Sequence, residues 1–109
     1  DTARLIQLLQ GRLNKMQLEL ADGTVMGLTG IRSGREYVSR SERWQVTIHM
    51  EAVAQNRLQL SERERERLRG ESLALLKERL SPLLQWAPIK DADGQLVQPR
   101  YVLDLQVLE

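Results

Sequence analysis

Residues 44–54 alternate in hydrophobicity without a break. Trp44, Val46, Ile48, Met50, Ala52 and Ala54 fall on one face; Gln45, Thr47, His49 and Glu51 fall on the other. A period of two is the spacing of a half-buried strand. One buried and one wet face imply an antiparallel or mixed sheet covered on a single side. The remaining chain must therefore supply partner strands and a covering layer.

Partner strands are legible on both sides. Met16, Leu18 and Leu20 alternate with Gln17, Glu19 and Ala21, and Asp22-Gly23 follows as a turn. A three-residue loop, 21–23, pairs Leu20 with Thr24, Leu18 with Met26 and Met16 with Leu28. That register sets large apolar side chains together and puts Gly23 where the bulge needs a left-handed residue. Near the C-terminus Tyr101, Leu103, Leu105 and Val107 share a face, opposite Asp104 and Gln106, with Val102 and Leu108 also on the second face. Pro99 marks an edge or a break. Asp91-Ala92-Asp93-Gly94 reads as a turn between two short extended pieces.

The covering layer is helical. Leu5, Ile6, Leu9, Leu13 and Met16 recur at helical spacing behind a capping residue at Thr2, which predicts a helix over 2–13. Ser61-Glu62-Arg63-Glu64 is a capping box. Behind it Leu68, Ser72, Leu75, Leu76, Leu80, Leu83 and Leu84 form an apolar stripe. Pro82 predicts a stop at Leu80, with a second turn starting at Ser81. The expected fold is a single α+β domain over 1–109. Its helices pack on one face of a mostly antiparallel sheet of three to five strands, a two-layer sandwich of order α-β-β-β-α-β.

Composition narrows the chemistry. With 109 residues a core forms without staples, and the absence of cysteine excludes disulfide frameworks, zinc fingers and thiol catalysis. Sixteen basic against fifteen acidic residues leave a net charge of +1, too small for the field of a dedicated nucleic-acid binder. By segment the charge is +2 over 1–60, +1 over 61–80 and −2 over 81–109. No apolar run approaches the roughly 20 residues of a membrane helix, and residues 1–20 do not read as a signal peptide. The first residue is Asp, which suggests a processed chain or one domain of a longer protein. A soluble, cytoplasmic setting is the default expectation.

Candidate sites are few. His49 could act as a base with Glu51 two residues on, on the same face. No nucleophile accompanies them, and an exposed strand histidine is the plainer reading. Asp91-Ala92-Asp93-Gly94 lacks the later glutamate of a calcium loop. Gly27-Leu28-Thr29-Gly30 matches a G-x-x-G string but falls on an expected strand, with no basic residue inside. Residues 32–42 are polar and read as a loop with a short extended piece at 36–38. Arg32, Arg35, Arg40 and Arg43 surround Tyr37 there, a set suited to phosphates and unstacked bases. No catalytic set, metal, cofactor or small-molecule ligand is expected. The leading expectation is a protein-interaction or self-assembly domain, with Val102 and Leu108 at its contact surface. The alternative is an RNA-binding module using the arginines of 32–43.

Overall fold

The alternating segment forms an interior strand, flanked on both sides. A computed structural model describes residues 2–14, 16–38, 43–85, 88–90 and 93–108. The elements are α1 (Thr2–Leu13), β1 (Gln17–Glu19), β2 (Val25–Val38), β3 (Arg43–Ala54), α2 (Glu62–Gln85), β4 (Ile89–Lys90), β5 (Leu96–Val97) and β6 (Arg100–Leu108). β1, β2, β3 and β6 form one sheet in that spatial order, while β4 and β5 pair separately. β2 runs antiparallel to β1 and β3, and β6 runs parallel to β3. The fold is α+β: two helices with a mostly antiparallel four-stranded sheet. A parallel pair needs a crossover, and α2 with the β4–β5 hairpin provides it.

The core gathers one face of the sheet and one stripe of each helix. Leu9 and Leu13 of α1 join Leu68, Leu76 and Leu80 of α2, Val46, Ile48 and Met50 of β3, and Leu105 and Val107 of β6. The side chains of Leu5 and Ile6, also expected there, lie outside the described residues. None of Gln45, Thr47, His49, Glu51 and Val53 is buried, and none of Val102, Asp104, Gln106 and Leu108 is. No described helix is long and apolar enough to cross a membrane.

The first hairpin adopts the register expected from its side chains. Leu18 pairs with Met26, Leu20 N donates to Thr24 O at 2.9 Å, and Leu28 N donates to Met16 O at 3.4 Å. Gly23 has φ of 88°, the left-handed geometry the turn requires. The two expected short extended pieces, β4 and β5, pair antiparallel, while Asp91 and Ala92 of the expected turn lie outside the described residues.

The reading of 32–42 as a loop is corrected for 32–38, while 39–42 lie outside the described residues. β2 continues through Val38 and pairs residue by residue with β3, down to Val38 opposite Arg43. A ladder is made of backbone groups, so a polar stretch joins one when a partner strand lies alongside. Cross-strand side chains reinforce it: Arg35 lies over the Trp44 ring at 4.2 Å, and Tyr37 meets Trp44 edge-on at 5.3 Å. The G-x-x-G string lies on this strand too, where the register slips between Leu28 and Gly30.

α2 starts as expected. Ser61 Oγ accepts from Glu64 N at 3.2 Å, and Ser61 O accepts from Arg65 N at 3.0 Å. The Glu64 carboxylate is engaged by Arg57, which sits in the loop after β3. The expected stop at Leu80 is corrected, because the helix passes through Pro82 to Gln85. The apolar stripe holds: Leu68, Ser72, Leu76, Leu80 and Leu84 are buried. Ser72 is fully buried, and its Oγ has no hydrogen-bond partner among the described residues. A buried unpaired hydroxyl is costly, and alanine is the better helix former. Ser72→Ala should therefore raise stability by about 1 kcal/mol. The check is a higher urea midpoint at constant slope, and a lower midpoint would contradict it.

Charged groups tie the first turn to α2. Asp22 accepts from Thr24 N at 2.9 Å, from Arg67 at 2.8 Å and from Arg57 at 3.2 Å. Arg67 also meets Glu71 at 3.1 Å. The Thr24 backbone amide, then its hydroxyl and Arg67, hold the Asp22 carboxyl well below its ordinary 3.8. A depressed folded value means that this stabilisation is complete above the unfolded value and fades as pH falls below it. Unfolding midpoints should therefore drop as pH falls from about 4 toward 2. Asp22→Asn should be less stable at neutral pH and show a flatter acid limb. An identical acid limb in the two proteins would contradict the assignment.

Candidate functional site

The register of β2, β3 and β6 sets rows of side chains across the open face of the sheet. Arg32, His49 and Asp104 make the central row. Gly34, Thr47 and Val102 lie on one side of it; Gly30, Glu51 and Gln106 lie on the other. Farther along, Gly27, Val53 and Leu108 share a row. Val102 and Leu108, the expected contact residues, are both half-buried on this face. They stand six residues apart, with Asp104 and Gln106 between them, so they belong to separate patches.

His49 Nδ1 lies 3.0 Å from Asp104 Oδ2. The expected neighbour, Glu51, shares the face but is not the hydrogen-bond partner. Parallel strands align residues in register, and β6 places Asp104 directly beside His49. Beside Gly30 lies a shallow hollow of about 260 Å³ bordered by Arg32, His49, Glu51 and Gln106. An imidazole steered by a carboxylate can exchange a proton. Among the described residues, the side-chain partner of that imidazole is Asp104. No cluster of three metal-ligating side chains occurs among the described residues.

Two of the arginines expected to act together, Arg32 and Arg35, lie on opposite faces of the sheet. Arg32 sits on the open face opposite His49, whereas Arg35 and Tyr37 sit on the other face, opposite Val46 and Trp44. Alternation along a strand forces this split once the segment is a strand. Tyr37 is half exposed, at 51 %. Arg40 and the side chain of Arg43 lie outside the described residues.

A further site had no signal in the sequence. Among the described residues β6 is an edge strand, paired only with β3. A groove of about 470 Å³ lies beside its first half, lined by Gln98 to Leu103 and by Lys77, Ser81 and Leu84 of α2. Tyr101 and Leu103 point to the helical side and Val102 to the open side. A groove touching consecutive residues of both orientations runs along the rim of the strand. Burial pushes the Tyr101 phenol above its ordinary value of 10.0. Comparison with protein-family models, with curated proteins and with solved structures finds no match to this chain.

Proposed function

We propose that this chain is a non-catalytic interaction and assembly domain, a two-layer sandwich that takes up an extended polypeptide segment along the rim of β6. The observation that carries the reading is the nine-residue edge strand with an open groove beside it. Unpaired N–H and C=O groups on an edge are a template for a further strand. Strand addition gains its affinity from main-chain hydrogen bonds and its selectivity from pockets for alternate side chains. The groove between β6 and α2 supplies such a pocket on the helical side. The test is a random-peptide display selection against the full chain, followed by mapping of enriched peptides through amide-proton shifts. Shifts concentrated at 98–104 support the reading. Enriched peptides that map elsewhere overturn it.

A second reading, binding of single-stranded RNA, is favoured by the stacked Arg35 and Trp44 with Tyr37 at their side. It requires salt-dependent binding that weakens in Arg35→Ala. No binding to single-stranded RNA at low salt would end it, because phosphate contacts are strongest there.

A further inference from the structure

We propose that the segment received by the β6 rim is the β6 strand of a second copy of this chain, paired antiparallel about a two-fold axis at Val102. The proposal rests on the strand-addition reading above and names its partner. β6 carries only two charged residues, Arg100 and Asp104, and both lie on the open face. In an antiparallel pair related by a two-fold, facing residue numbers have a constant sum. Only the register centred on Val102 sets Arg100 opposite Asp104 of the other copy, and it does so twice. Centring on Leu103 leaves Arg100 facing Gln106. Centring on Asp104 sets two carboxylates face to face, which is repulsive.

The apolar residues agree with the same register. Val102 faces its own copy between the two charge pairs. On the helical side Tyr101 faces Leu103 twice, next to the groove. Aromatic–aliphatic and opposite-charge pairs are the units that stabilise a ladder. Pro99 has no N–H to offer and ends the ladder just before Arg100. Arg100 is exposed and makes no ion pair among the described residues. Asp104 is 57 % exposed and meets His49 through one oxygen, leaving the other for a guanidinium. The joined strands would continue the sheet across both copies.

The experiment is sedimentation equilibrium of the full chain and of two charge variants, with circular dichroism confirming that each is folded. The wild type should dimerise, and more weakly at high salt. Arg100→Asp and Asp104→Arg should each weaken dimerisation roughly tenfold or more, because each sets like charges opposite one another twice. An equimolar mixture of the two variants should recover dimer, since their strands then offer only opposite charges to each other. Independently, Val102→Cys introduces the sole thiol of the chain, and oxidation should cross-link it across the axis. A wild type that stays monomeric at millimolar concentration overturns the proposal. So does a dimer indifferent to both variants, or a mixture that fails to recover. If copies do not pair while selected peptides still shift the 98–104 amides, only the identity of the partner fails. If the peptides also leave those amides untouched, the strand-addition reading fails with it.

Discussion

Leu76→Ala should cost about 2–5 kcal/mol, a large part of the roughly 5–15 kcal/mol that holds a domain of this kind together. Leu76 is fully buried in the middle of α2. It belongs to the same cluster as Ile48 and Met50 of β3 and Leu105 of β6. Truncation removes the transfer free energy of the side chain and leaves a cavity. Neighbours on a paired sheet cannot collapse far to fill it. The check is urea unfolding followed by circular dichroism, with a lower midpoint and an unchanged slope. Leu58, fully exposed at 100 %, is the control. Leu58→Ala should fall within about 0.5 kcal/mol of wild type. Equal losses in the two variants would place Leu76 outside the core.

Pro82→Ala should act in the opposite direction and stabilise the chain by about 1–3 kcal/mol. Proline inside a helix removes one backbone hydrogen bond and crowds the carbonyl four residues back, at a cost of about 3 kcal/mol or more. That carbonyl belongs to Glu78, an exposed residue of α2. The helix continues because Leu84, on the turn beyond, is only 8 % exposed. Burying a leucine side chain returns about 1.5–3 kcal/mol. Alanine keeps that burial and restores the hydrogen bond. It also loosens the unfolded chain, which takes back about 0.4–1 kcal/mol. A drop in the unfolding midpoint of Pro82→Ala would mean that the proline itself shapes the bend that seats Leu84.

The elements that could be read in advance are those whose signal is local. The α1 boundaries, the Ser61 cap, the stripe from Leu68 to Leu84 and the register around Gly23 each follow from a period or a turn residue. The segment 32–38 could not be read this way. Its arginines, serine and glycine carry no burial pattern, because its ladder with β3 is held by backbone groups. The same tertiary pairing placed Arg32 on one face and Arg35 and Tyr37 on the other, which their spacing along the chain does not show. The His49–Asp104 contact joins residues 55 apart and depends on the parallel alignment of β3 with β6. No spacing rule links those two positions.

By itself the sequence determined one covered sheet face, through the alternation at 44–54 and the leucine stripes that must meet it. Hydrophobic burial sets that result, and it acts residue by residue along the chain. Tertiary structure alone decided which strands are neighbours, and so which residues share a row and which strand is left at the edge. Strand order depends on backbone hydrogen bonds between distant segments, and every residue except proline offers the same ones. The open rim of β6 is a result of that order.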